Sequence, residues 1–210
     1  MLVNNKCSKP WMYMEIPRTA STTIEKCLRA VYPGSFAMYQ KHWPVSVPGV
    51  TCGNWRITSV RNPFSRAVSC WQFFTVPGAI SFEDWLLKVQ AEGFIEQNIE
   101  AMPQDFWLKL NSWETIIRFE SLKADLEKLF STLGASNQTV TNAIPKINAI
   151  GGPWFNRLGK STVGLRDRPW HEFYTEKAVE LVQDVYKKDF FELKEIYSDK
   201  IEDAIKYENN

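Results

Sequence analysis

Residues 17–23 read Pro-Arg-Thr-Ala-Ser-Thr-Thr, one arginine among four hydroxyl side chains. An arginine fork pairs with phosphate oxygens, and hydroxyls donate beside backbone N–H groups, so a stretch of this kind suits the holding of an anion. It has neither the glycines nor the lysine of a GxxxxGK[ST] loop, which wraps a metal-bound triphosphate. A single terminal phosphate fits Arg18, Thr19, Ala20, Ser21, Thr22 and Thr23 better. Taken alone, the stretch reads equally well as an ordinary capped helix carrying a solvated arginine.

A second stretch repeats the logic. Arg61, Asn62 and Pro63 are followed by Arg66 and Ser69. On a helix beginning at Pro63, Ser69 stands nearly two turns in, at about 3.6 residues per turn. It reaches an anion only if the ligand lies along the helix flank, which implies a second phosphate. Arg66 reads as a solvated helix charge, a phosphate contact or a structural ion pair.

The chain has two histidines, His42 and His171. Imidazole is the natural base for an alcohol near neutral pH. His42 lies between the two arginine stretches; His171 precedes a helix cap and reads as structural. Glu15 is the carboxylate that could serve instead.

These groups need strands that end where helices begin. "WMYMEI" is a short apolar run closed by Pro17, which suits a buried strand, and "STTIEKCLRAVY" follows with Ile24, Cys27, Leu28 and Val31 at helical spacing and hydroxyls at the cap. "NWRITSV" leads into a helix opened by Pro63. "ETIIRF" leads into a stripe of Leu122, Leu126, Leu129 and Leu133 closed by Gly134. Ser81 caps a further helix, and Thr175 caps a long amphipathic helix or a pair. Strands alternating with helices predict an α/β fold, a single domain over 1–210 with a central parallel sheet flanked by helices. In such sheets ligands gather beyond the carboxyl ends of the strands, where helix N-termini present N–H groups. The stretch from Leu133 to Arg168 reads as irregular surface.

At this point the residues resemble a known family, the sulfotransferases that use 3′-phosphoadenosine 5′-phosphosulfate (PAPS). "PRTASTT" is similar to their first motif, written PKTGGTS or PKTASTS, and "RNPFSRAVS" to their second, RDPxxRxxS. "MPQDFWLKL", "RFESL" and "GKSTVGLRDRPWHEFYT" extend the likeness across Trp11 to Tyr197. The resemblance implies a P-loop NTPase-like sulfotransferase fold. It also implies that Arg18 to Thr23 hold the 5′-phosphosulfate, Arg61 and Ser69 the 3′-phosphate, and that Lys160 and Ser161 approach the same nucleotide. His42 stands where the family has its catalytic base, and Arg18 replaces the commoner lysine. The implied reaction moves the sulfuryl group to a hydroxyl acceptor, a carbohydrate or other small molecule, releases PAP, and needs no metal. A P-loop-type nucleotide kinase and a catalytically inactive nucleotide-binding module are the rival readings.

The bulk numbers set bounds. With 25 Lys+Arg against 24 Asp+Glu, the net charge is +1, which gives no global field for nucleic acid. No apolar run spans a membrane and the N-terminus lacks a signal-peptide core, so the expectation is a cytoplasmic enzyme of bacterial or viral origin. Cys7, Cys27, Cys52 and Cys70 read as reduced thiols, too spread for a metal site. Most of the nine tryptophans should be core; Trp43 and Trp154 are the candidates for a ligand platform.

Overall fold

The computed structural model describes residues 1–5, 9–37, 42, 55–76, 78–92, 98–136, 139–140, 143 and 168–197. Lys41, Trp43, Trp154, Lys160, Ser161, Cys7 and Cys52 lie outside the described residues. The chain is an α/β protein that divides into two compact units, Met1–Arg61 with Phe106–Gly151, and Asn62–Asp105 with Gly152–Asn210.

The first unit carries a five-stranded mixed sheet in the order β3-β1-β2-β4-β5. Its strands are β1 (Leu2–Asn4), β2 (Trp11–Met14), β3 (Phe36–Ala37), β4 (Trp55–Val60) and β5 (Thr115–Arg118). The ladders β2–β4 and β4–β5 are parallel, as the strand-then-helix pattern predicts. The expectation of a wholly parallel sheet is corrected at the other side, where β1 pairs antiparallel with both β2 and β3. Strands of three and two residues are too short to show a period of two, so the sequence pattern does not reveal them.

Alternation along the strands decides what is buried where. Leu2, Trp11, Tyr13, Ile57 and Ile117 point to one face and pack with helices α1 (Ser21–Val31) and α5 (Leu122–Thr132). From those helices come Ile24, Cys27, Leu28 and Val31, and Leu126, Leu129, Phe130 and Leu133. Met1, Val3 and Met12 cluster on the opposite face. The helix α5 ends as Gly134 requires. That residue has φ of 77°, Ala135 N donates to Phe130 O at 2.9 Å, and Gly134 N donates to Ser131 O at 3.1 Å, the paired bonds of a Schellman cap. Arg118 sends its fork to Asp125 at 2.9 and 3.0 Å. Burial alone would raise the Asp125 carboxyl, but the Arg118 fork and the Ser121 hydroxyl hold it below its ordinary range.

The second unit contains α2 (Pro63–Phe74), α3 (Phe82–Ala91), α6 (Glu176–Val185) and α7 (Lys187–Tyr197). Between the units in sequence runs one helical turn, α4 (Asp105–Leu108). The caps follow local chemistry: Asn62 accepts from Phe64 N with Pro63 at the first helical position, Ser81 from Asp84 N, and Thr175 from Ala178 N. Edge-to-face aromatic pairs join α2 to the rest, with Phe64 5.5 Å from Tyr174 and Trp71 5.1 Å from Phe173 between ring centres. Among the described tryptophans, Trp11, Trp71, Trp85 and Trp107 are buried, as expected of core.

Arg66 is not a solvated charge: it is 1% exposed and donates to the carbonyls of Met102 at 2.8 Å and Glu100 at 3.3 Å. Tyr186 donates to Ala101 O at 3.1 Å. The carboxylate of Asp189, wholly buried, accepts from Asp105 N at 2.9 Å and from the Gln104 side chain at 3.4 Å. The Gln104 amide thus serves a buried carboxylate. Burial pushes the Asp189 carboxyl up to about 6, against the opposing pull of the Arg66 charge and of the backbone at Gln104 and Asp105.

A raised carboxylate binds its proton more tightly in the folded chain than in the unfolded one. Its contribution is therefore fully present below the ordinary value of 3.8 and is lost as pH rises through about 6. Asp189→Asn, which keeps the shape without the charge, should gain stability relative to wild type by roughly 2–3 kcal/mol between pH 4 and pH 7. Urea unfolding of both proteins across that range measures it. A difference that stays constant with pH would remove Asp189 from the pH dependence.

Candidate functional site

The loop from Glu15 to Ser21 turns out of β2 and into α1 at the carboxyl end of the parallel ladder. The expectation placed a hydroxyl residue at the helix cap. The structure places Ala20 there, at φ 66° and ψ 20°, with no side-chain cap bond. Arg18 shares the left-handed conformation at φ 66°. For a residue with a Cβ each such conformation costs about 1–2 kcal/mol. Replacing a capping side chain by alanine costs about 1 kcal/mol more. Three local preferences are thus overridden in three consecutive residues, and backbone strain of this kind gathers at ligand sites.

What holds the strained loop is a chain of buried hydroxyls. The Thr19 hydroxyl donates to Ile16 O at 2.8 Å and meets the Ser59 hydroxyl at 2.7 Å. Ser59 in turn meets the Tyr13 hydroxyl at 2.8 Å. Burial, opposed by the Ser59 bond, keeps the Tyr13 phenol well above its ordinary value, so it remains a neutral hydrogen-bonding group. Thr19 is wholly buried, and its side chain anchors the loop to β4. Its backbone is what it can offer a ligand. Ser21 and Thr23 are buried, whereas Thr22 is exposed on the first turn of α1. Ser59 and Tyr13 are contributors that the motifs do not reveal, because hydroxyls on ordinary strand residues carry no local signal.

Arg61 closes β4 and comes to this loop. Its guanidinium makes a long hydrogen bond, 3.5 Å, to Arg18 O and lies 3.9 Å from the centre of the Phe119 ring. The aromatic face restrains the planar cation, a contact worth about 0.5–1 kcal/mol at an open site. His42, half-buried and itself left-handed at φ 64°, sits at the other end of the loop. Its Nδ1 is 3.0 Å from Glu15 O. A carbonyl can only accept, so this bond assigns the proton to Nδ1 and the lone pair of the neutral ring to Nε2. Ser69 lies buried on α2 in the second unit. His171 belongs to the short turn Trp170–Phe173, its ring 5.9 Å from that of Trp170.

Comparison with protein-family models, curated proteins and solved structures finds no match. The chemistry therefore has to be argued from the donors themselves. Within the first unit the structure brings Arg61 to the backbone of Arg18 and His42 to the backbone of Glu15, two points on one loop. No group of three or more His, Cys, Asp or Glu side chains able to hold a metal occurs among the described residues. Nor is any helix among them long and apolar enough to cross a membrane.

Because the Ala20 conformation carries the strain, Ala20→Gly should leave stability within about 1 kcal/mol of wild type, on the stabilising side, as the lost strain outweighs the added chain entropy. Ala20→Val, with a branched Cβ in the same conformation, should cost about 2 kcal/mol. Ser59→Ala leaves the buried Tyr13 hydroxyl short of its partner, at a cost of about 1–3 kcal/mol. Thermal unfolding of the three variants checks the order.

Proposed function

We propose that the protein is a PAPS-dependent sulfotransferase, with a P-loop-like arrangement of its parallel strands, that sulfates a hydroxyl group on a carbohydrate or another small acceptor. The observation that carries this reading is the approach of Arg61 to the loop at Arg18 across neighbouring parallel strands. It supports a ligand with two anionic ends, each served by one arginine stretch. The donor set fits: guanidinium groups, a hydroxyl on an exposed first turn, and a helix start whose cap residue makes no side-chain hydrogen bond to it.

The residues of the loop divide the work. Arg18, Thr22 and the backbone from Thr19 to Thr23 hold the 5′ end, and Arg18 offsets the charge that grows on the bridging oxygen as its bond to sulfur breaks. Arg61, steadied on Phe119, holds the 3′-phosphate, an end to which the motif likeness also assigns Ser69. Lys160 and Ser161 are assigned to the same nucleotide by the motif likeness. When bound, PAPS supplies a sulfuryl group that passes in line to the acceptor oxygen, a transfer in which positioning and charge stabilisation do most of the work. His42 removes the acceptor's proton through the lone pair on Nε2, while the bond from Nδ1 to Glu15 O fixes that tautomer.

Arg61→Ala should weaken binding of 3′,5′-bisphosphoadenosine by tenfold or more, about 1.4 kcal/mol, and scarcely change binding of AMP. Calorimetric titration of both ligands measures it, and equal losses would show that Arg61 does not serve the 3′ end. His42→Ala should lower the rate of sulfate transfer roughly 100-fold or more with nucleotide affinity intact. Radiolabelled PAPS offered to panels of sugars and phenols provides the assay. A wild-type protein that binds the nucleotide and sulfates nothing would favour an inactive nucleotide-binding module.

A further inference from the structure

The backbone of His42 raises a question that the imidazole alone does not answer. A non-glycine residue at φ 64° persists only where its surroundings fix it. One tether is the Nδ1 bond to Glu15 O. The other comes from Trp107, whose indole Nε1 donates to His42 O at 3.3 Å. Trp107 is wholly buried, so its single donor is held where it is by the packing of the whole ring. The indole is 65 residues away in the chain.

We propose that Trp107 is a positioning residue for His42: by gripping the carbonyl of a left-handed residue it sets the direction in which the imidazole leaves the backbone. This inference rests on the reading of His42 as the base. The two tethers act on different atoms of one residue. The Glu15 carbonyl selects the ring nitrogen that carries the proton, and the Trp107 indole keeps the peptide plane oriented so that the ring can reach that carbonyl. Without the second tether the left-handed conformation loses a restraint, the ring swings away from Glu15 O, and the tautomer is no longer selected. A base displaced by a fraction of a bond length transfers protons far more slowly, since proton transfer demands hydrogen-bond geometry. Trp107 touches neither substrate nor reacting atom in this scheme.

The test is Trp107→Phe, which keeps most of the buried ring and removes the N–H. A second variant carries the benzothienyl analogue of tryptophan at the same position, keeping the bicyclic shape with sulfur in place of N–H. Both should lower kcat for sulfate transfer about tenfold with KM for PAPS unchanged. In the His42→Ala background neither should lower it further, because residues that act as a unit are not additive.

A readout independent of activity is the long-range proton–nitrogen correlation spectrum of the histidine rings. With two histidines in the chain, His42→Ala assigns the signals. The neutral wild-type ring should show the Nδ1–H form alone, and both variants a mixture of the two tautomers. An unchanged kcat together with an unchanged tautomer would overturn the proposal, and so would an equal loss of rate with and without His42. If the wild-type protein transfers no sulfate at all, the functional reading fails, and the tautomer spectrum alone decides the role of Trp107.

Discussion

The Ser59 hydroxyl, set between Tyr13 and Thr19, is the contact on which the candidate site depends. It joins the carboxyl end of one parallel strand to its neighbour and to the loop that leaves that neighbour. The loop could not otherwise keep two left-handed residues and an uncapped helix start, because each has a more relaxed alternative worth about 1 kcal/mol or more. A buried hydroxyl chain is strong in this setting, since its members have no water to turn to. The strain at Arg18 and Ala20 is thus sustained from beneath by the sheet.

That arrangement also explains how a strained loop at a helix start can do without glycine. Glycine earns its place in such loops by tolerating positive φ and a close backbone approach. Here the positive φ is imposed on residues with side chains, and their backbone is held by Thr19 from within. The arginine side chain and the hydroxyl of Thr22 then stand where glycines would offer only N–H groups. The donors gained are suited to a ligand with a compact anionic end.

Much of the fold could be read from local signals. Pro17 after an apolar run, Asn62 before Pro63, Ser81 and Thr175 at helix starts and Gly134 at a helix end each act within a few residues, and each lies where the pattern places it. Three strand-to-helix junctions followed from them. The strands of β1 and β3 did not, because two or three residues cannot display alternation. Within the site, Arg18, Arg61 and His42 were legible as reactive types, and the contacts that arrange them were not. Thr19 meets Ser59 across 40 residues and Trp107 meets His42 across 65, and no periodicity encodes a meeting at that range. The same holds for the burial of Arg66 and Asp189, since ionic side chains are seldom buried and no local pattern marks the exceptions. Their burial follows from carbonyls and amides of residues 100–105 supplied by the fold.

The bond from His42 to Glu15 O has one more consequence. The nitrogen that donates keeps its hydrogen whether the imidazole is neutral or cationic, so acid removes the lone pair on the opposite nitrogen without cutting the mooring. The mooring is therefore common to both forms of the ring.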